Sequence, residues 1–294
     1  MPIDYRYHIG SFVAIFLALL LGILVGIGLA PNPAELDQVV GQLKQQFREA
    51  QQSREAELEQ LRQERAQYEA LAKQILPITI ANRLSGKRVA IILNHEFGND
   101  PLPEHLRALL RQAGASLTAT ATITRDFATL PTPVRQRVAR RLSLYPPPGV
   151  HFRSLIAEAW ARDLAGGRAE LVKELHQSGL VRSSADSDYR APVDAVLLVG
   201  GPRNRGDAAP ERVDVPLIAE LTRLGVRVVG CEETTAPISS IPLYQSRGIP
   251  TVDNADTLPG RLAVVLALAG ADGHFGVKDT ADRLLPDLTS PPPA

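Results

Sequence analysis

An uncharged run over residues 9–30 constrains this sequence more than any other feature. As a helix the run would be roughly 33 Å long, and the hydrocarbon core of a bilayer is about 30 Å thick. A helix buried in a protein core rarely stays apolar on every face for so long, so we predict a single transmembrane helix. Arg6 precedes the run, whereas Glu35 and Asp37 are the first charges after it. The positive-inside rule then places the N-terminal tail in the cytoplasm and the remainder outside.

A cleaved signal peptide is the competing interpretation of residues 1–31. Gly28-Leu29-Ala30 is a small-x-small triplet, but Pro31 would follow the cut and hinder cleavage. The apolar run also exceeds the about 7–15 residues that are usual in a signal peptide. We therefore favour an uncleaved signal anchor over residues 1–31 of a single-pass membrane protein. Gly22 and Gly26 form a small-xxx-small pair, a spacing that allows two such helices to approach closely and dimerise.

Residues 32–77 predict a helical stalk that Pro77 ends. Apolar residues follow one heptad register along it, and polar residues interrupt the register in the middle, where a step of about eleven residues repairs it. Because the membrane span would hold a second copy in parallel, we predict a coiled-coil homodimer, with a solitary amphipathic helix and a heteromeric partner as alternatives. The predicted dimer seam comprises Leu36, Val40, Leu43, Phe47, Leu61, Tyr68, Leu71 and Ile75.

Residues 86–272 predict an α/β domain. Short apolar runs alternate with helical segments, which is typical of a parallel sheet covered on both faces, and about five strands indicate a doubly wound, Rossmann-like domain. The segment 126–192 is predicted to be a mostly helical insertion. Strands are predicted at 89–93, 117–123, 194–199, 226–230 and 251–252, and helices at 103–113, 215–224, 238–247 and 258–269.

Polar residues follow the predicted strands, where the ligand crevice of an open α/β sheet lies. The candidate crevice residues are Asn94, His95, Glu96, Gly200, Gly201, Arg203, Asp253 and Asn254. The turn after the first strand is not Gly-x-Gly-x-x-Gly, and neither a Walker A sequence nor a Gly-x-Ser-x-Gly elbow occurs, so we expect no cofactor and assign no catalytic residue. The loop 200–206 would be an anion-binding nest or, more simply, a plain loop with solvated arginines.

Metal and nucleic-acid binding are disfavoured by composition. The chain has one Cys, one Met and scattered histidines without metal-ligand spacing, so no metal site is predicted. Cys231 is expected to be a buried structural thiol, because the glutamates that follow it oppose a depressed pKa. With 32 basic and 32 acidic residues the formal net charge is zero, whereas a nucleic-acid binder normally carries a basic excess.

Both ends of the chain resemble the mycobacterial copper transport protein B (MctB) family. The N-terminal part of the resemblance is DYRYHIGSFVAIFLAL at 4–19 and GILVG at 22–26. The C-terminal part is VVLALAG at 264–270, GHFGVK at 273–278 and TADRLLP at 280–286, within a closing motif and Pro-rich tail over 273–294. The resemblance implies a bacterial envelope protein named for copper transport or homeostasis. Related members are tied to control of peptidoglycan hydrolysis through a partner protein.

Three functions follow as expectations. The favoured one is a non-enzymatic dimeric scaffold or regulator of an envelope partner, such as the peptidoglycan-hydrolysis machinery, in the bacterial cytoplasmic membrane with the C-terminal body outside. The alternative is a component of copper ion transport or homeostasis, although copper sites normally use Cys, Met or clustered His. The third is a ligand-sensing α/β domain, which rests on the residues at the strand ends.

Overall fold

The structure is a computed structural model, in which residues 5–28, 33–143, 145 and 151–287 are described. Side chains are described for residues 12–26, 44–141, 143, 145 and 151–287. The chain divides into two compact units, Met1–Tyr68 and Glu69–Ala294, and each is described by itself.

The first unit is helical. Helix α1 covers Tyr5–Gly28, and helix α2, Pro33–Ile80, begins in this unit. All the described side chains of α1 are exposed. Over the described residues, we find no helix with both the length and the apolar character that a membrane crossing requires. An added Cβ at Gly22 or Gly26 would meet nothing within 4 Å.

The predicted seam lies on the surface of α2. Phe47, Leu61, Tyr68, Leu71 and Ile75 are between 49% and 71% exposed. The side chains of the other three seam residues, at 36, 40 and 43, lie outside the described residues. An apolar row along α2 is therefore open to a partner, and the identity of that partner stays a prediction.

The prediction that Pro77 ends the stalk is wrong, because α2 continues to Ile80. A proline inside a helix removes one backbone hydrogen bond and normally ends the helix. Here the last turn is stabilised by packing, since Ile80 and Leu84 are fully buried in the core of the second unit. The carbonyl of Pro77 also accepts a hydrogen bond from the Ala81 N–H at 3.1 Å.

The second unit is built on a seven-stranded sheet of order β3-β2-β1-β4-β5-β6-β7. Every neighbouring pair is parallel except β2 and β3, which confirms the α/β class and its parallel sheet. Strand order reverses between β1 and β4, so the crevice of the sheet lies there. The strands are β1 Arg88–Leu93, β2 Ser116–Ile123, β3 Val181–Ser183, β4 Ala195–Val199, β5 Arg227–Cys231, β6 Thr251–Val252 and β7 His274–Phe275.

Helices cover both faces of this sheet. One face packs against the end of α2 together with α3 and α10, and the other against α6, α7 and α8. The predicted insertion 126–192 supplies core as well as surface, because Trp160 of α6 is fully buried. The helices are α3 Leu102–Gln112, α4 Arg125–Thr129, α5 Thr132–Leu142, α6 Phe152–Gly166, α7 Glu170–Gln177, α8 Asp214–Arg223, α9 Ile241–Gln245 and α10 Leu258–Ala269.

Candidate functional site

The candidate site lies at the carboxyl ends of β1 and β4, where the strand order reverses. Asn94 and His95 follow β1 directly, and Gly200 and Gly201 follow β4. Backbone hydrogen bonds hold the two strand ends together, since the Asn94 N–H donates to the Val199 carbonyl at 2.9 Å. The structure therefore brings four of the eight predicted crevice residues to one place.

A buried polar network underlies this crevice. The Asn94 Nδ2 donates to Asp214 Oδ2 at 2.9 Å and to Tyr244 Oη at 3.1 Å, and Tyr244 Oη donates to the same Asp214 oxygen at 2.7 Å. All three side chains are at most 1% exposed. Burial raises the pKa of Asp214, and the two hydrogen bonds oppose that shift. Burial also raises the pKa of Tyr244 well above its ordinary value, and the Asp214 carboxylate raises it further.

His95, which is 3% exposed, extends the network beyond the end of β1. Its Nδ1 lies 2.8 Å from Asn94 Oδ1, which can only accept, so Nδ1 carries the proton and Nε2 keeps its lone pair. The ring packs on Phe97, with centroids 4.1 Å apart. Burial lowers the pKa of His95 to about 4, so the imidazole is neutral at neutral pH.

The glycines of the crevice serve packing against α9. A Cβ at Gly200 would lie 2.5 Å from the Ser240 Cβ, and Gly201 has a φ of +86°. The Gly201 N–H donates to Ser240 Oγ at 3.0 Å, and the Gly200 N–H donates to the Cys231 carbonyl at 2.7 Å. These two N–H groups are therefore already occupied and cannot donate to an anion, whereas the choice between a nest and a plain loop over 200–206 stays a prediction.

Two of the predicted residues turn away from the network. Glu96 forms an ion pair with Arg182 of β3. It lines a cavity of about 450 Å³ above the ends of β1 and β2. Arg203 is exposed and pairs with Asp100 at 3.4 Å. Glu96 and Arg203 are thus each neutralised by an ion pair.

Glu233 is a carboxyl group with a strongly perturbed pKa at the end of β5. Partial burial, together with the nearby carboxyl groups of Asp100 and Asp256, raises its pKa to about 7. The Arg203 guanidinium opposes that shift. Such a group exchanges a proton near neutral pH, which makes it the most titratable part of the crevice rim.

The remaining two predicted residues, Asp253 and Asn254, follow β6, and Asp253 binds the C-terminal motif. Asp253 is 1% exposed, and its carboxylate accepts hydrogen bonds from the N–H groups of Val277 at 2.8 Å and Lys278 at 3.1 Å. A Cβ at Gly276, whose φ is +146°, would overlap with that carboxylate. Asn254 is equally buried, and its side-chain amide makes no hydrogen bond to the described residues.

A buried ion pair also binds the C-terminal motif. Lys278 Nζ lies 2.6 Å from Glu232 Oε1 and donates to the Glu233 carbonyl at 3.0 Å. Glu232 is fully buried and also accepts from Ser239 Oγ and from the Ser240 N–H, each at 2.7 Å. The C-terminal motif is thereby held against the carboxyl ends of β5 and β6.

Sequence reasoning missed four members of these networks. Asp214 and Tyr244 lie on helices, where a buried Asp and Tyr carry no local signature. Glu232 and Lys278 are 46 positions apart, and this separation hides their pairing in the sequence. The sequence signal for this pairing was Lys278, a charged residue within the glycine-containing motif at 273–278.

The side chains that could ligate a metal ion are not clustered among the described residues. In the part of the chain that the structure describes, no three His, Cys, Asp or Glu side chains come together in a group that would hold a metal ion. Cys231 is fully buried, and burial raises the pKa of its thiol, with Glu232 adding to the effect. The thiolate that would serve as a soft metal ligand is therefore disfavoured.

A comparison with protein families shows which family the chain matches. A family model described as "Copper transport outer membrane protein, MctB" matches residues 2–286, nearly the whole chain. No curated protein matches the sequence.

Proposed function

The chain belongs to the MctB family of copper transport outer membrane proteins, and from that premise we propose that it is a non-enzymatic assembly protein of a copper-transport system in the cell envelope. Two copies pair through α2, and the α/β unit offers a surface to an envelope partner. The observation that carries the proposal is the exposed apolar row on α2.

The row is suited to a second copy of the same helix. Phe47, Leu61, Tyr68, Leu71 and Ile75 follow heptad spacing and are at least 49% exposed. Exposed apolar side chains at this spacing are buried when two helices supercoil. The flanking g positions are Gln46, Gln60, Gln67 and Gln74, so no like charges oppose self-pairing there.

The interior of the α/β unit supports a role without catalysis. The polar atoms of Asn94, Asp214 and Tyr244 bond to one another under the crevice. Glu232 is bonded to Ser239, Ser240 and Lys278, and Asp253 accepts from two N–H groups of the C-terminal motif. The polar groups of these five side chains thus hold the fold together.

Copper would reach this protein through a partner in our proposal. Copper prefers thiolate, thioether and imidazole ligands, and the one thiol, Cys231, is fully buried. Equilibrium dialysis of the full chain against Cu(I) and Cu(II) tests this step, and we expect no stoichiometric binding. Tight binding of one copper ion per chain would favour direct copper handling instead.

Two pairs of substitutions test the stalk. Leu61→Asp with Leu71→Asp places two carboxylates in the seam, and Gln52→Asp with Ala66→Asp places two on the opposite, exposed face of the same helix. In detergent solution, sedimentation should give a dimer for the unchanged chain and for the control, and a monomer for the seam variant. A monomeric unchanged chain, or a seam variant that stays dimeric, would contradict the proposal.

Membrane anchoring by residues 9–30 is the remaining part of the proposal. The support is the uncharged sequence of this run together with the exposed apolar side chains of α1, such as Phe12 and Leu24, 68% and 66% exposed. We expect the chain to resist alkaline extraction from membranes and the α/β unit to be cleaved by protease added to spheroplasts. Extraction at high pH, or protection of that unit, would overturn the assignment.

A further inference from the structure

A cavity lies at the edge of the sheet formed by β3, outside the network of Asn94, Asp214 and Tyr244. It has a volume of about 550 Å³ and lies between α7 and the loop over residues 184–190. This size is in the range of sites for small molecules. Nothing in the proposed assembly role uses it.

Three basic residues line the cavity. Lys173 and His176 are three positions apart on α7, which places them on the same side of the helix, and Arg190 lies on the facing loop. No hydrogen bond or ion pair joins these three side chains to another described residue. The arginines near the crevice behave differently, since Arg182 and Arg203 both have acidic partners.

One acidic residue also lines the cavity, and the loop uses it. Asp188 Oδ1 accepts a hydrogen bond from the Arg190 backbone N–H at 3.0 Å, which closes a local turn. With Lys173 and Arg190 charged against this single carboxylate, the cavity keeps a net positive charge. An anionic group on a ligand would be attracted to it.

Hydroxyl groups and an apolar surface form the interior. Ser183 Oγ and Tyr189 Oη lie 2.7 Å apart, and either can donate onward to a ligand. Ser184 lines the same cavity, and its Oγ makes no hydrogen bond to the described residues. The side chains of Ala169 and Val172 are buried beside them and offer an apolar wall.

The loop wall is held in place before any ligand arrives. The N–H groups of Ser184 and Asp188 donate to the carbonyls of Thr120 and Thr118 on β2, at 3.0 and 2.6 Å. Ser187 Oγ accepts from the Thr120 N–H at 3.1 Å. A wall fixed in this way loses little entropy on binding, which favours a specific site.

We propose that this cavity binds a small anionic sugar. The carboxylate or phosphate of the ligand contacts Lys173 and Arg190, its hydroxyls bond to Ser184 and the Ser183–Tyr189 pair, and its ring lies on Val172. Charge-assisted bonds to the cations supply orientation, and the hydroxyls distinguish a sugar from a bare anion.

Isothermal titration of the full chain in detergent tests the site with four probes: glucuronate, glucose 6-phosphate, glucose and inorganic phosphate. We expect glucuronate or glucose 6-phosphate to bind at least about tenfold more tightly than glucose or phosphate. Whichever of the two binds better identifies the anionic group as a carboxylate or a phosphate. Equal binding of phosphate and glucose 6-phosphate, or no binding of either sugar acid, overturns the proposal.

Matched variants locate the binding. Lys173→Gln with Arg190→Gln should weaken binding at least about tenfold, whereas Lys87→Gln with Arg247→Gln, which also removes two exposed cations, should leave it unchanged. Ser184→Ala should weaken the sugar acid and leave the weak affinity for phosphate unaltered. Equal affinities in the two double variants would refute the site. Neither outcome bears on whether two copies of the chain pair through α2.

Discussion

Lys278→Met tests the idea that the C-terminal motif is held by a buried ion pair. Lys278 Nζ contacts Glu232 at 2.6 Å, and the Glu232 side chain is 0% exposed against 23% for Lys278. Removing one partner of a buried pair costs about 3–5 kcal/mol, because the other charge stays buried and uncompensated. Glu232 keeps its bonds from Ser239 and Ser240, so we expect the lower end, about 3 kcal/mol.

Urea unfolding of the full chain measures this loss. Trp160 is the single tryptophan and is fully buried, so its fluorescence reports unfolding of the α/β unit. With a slope of about 2–3 kcal/mol/M, the midpoint should fall by about 1–1.5 M urea. Lys173→Met, which removes an exposed lysine, is the matched control and should change the midpoint little.

The second half of the test is rescue. Adding Glu232→Gln to Lys278→Met removes the buried charge, so the double variant should be more stable than Lys278→Met alone. Two results would show that the ion pair does not hold the motif. One is that Lys278→Met unfolds at the same urea concentration as the unchanged chain. The other is that Glu232→Gln destabilises the Lys278→Met variant as much as it destabilises the unchanged chain.

Three further predictions concern single positions. Gly276→Ala should lower the free energy of unfolding by about 1–3 kcal/mol or more, because φ is +146° and the Cβ overlaps with Asp253. Gly206 has open space around it, so Gly206→Ala should leave the free energy of unfolding nearly unchanged in the same urea titration. The lowered pKa of His95, about 4, predicts stability that is present above pH about 6.5 and falls by up to about 3 kcal/mol toward pH 4. His95→Gln should remove that part of the pH dependence, and identical slopes for both proteins would contradict it. Cys231 should react with a thiol reagent only on unfolding, so labelling of the native chain as fast as in urea would show that the thiol is not buried.

The sequence by itself determined those helices and strands whose pattern lies within a few neighbouring residues. The helix predicted over 258–269 is α10, Leu258–Ala269, because Thr257 caps its start through the Gly260 N–H and Gly270 follows its end. The apolar runs at β1 and β4 are strands within one residue of the prediction, since a buried parallel strand needs apolar side chains on both faces. These signals span a few neighbouring residues and are visible without the fold.

Short elements and long-range contacts were decided only in the folded chain. Strands β3 and β7 have three and two residues, too few to show a period, and exist because a neighbouring strand supplies their hydrogen bonds. The passage of α2 through Pro77 depends on core contacts made by Ile80.

For the candidate site the sequence determined that polar residues would gather at the strand ends. Only the tertiary structure decided what they do there. It joined Asn94 to Asp214 and Tyr244 across 120 and 150 positions, and turned Glu96 toward Arg182. Hydrogen bonds and ion pairs depend on distances of about 3 Å, and packing of distant elements sets those distances.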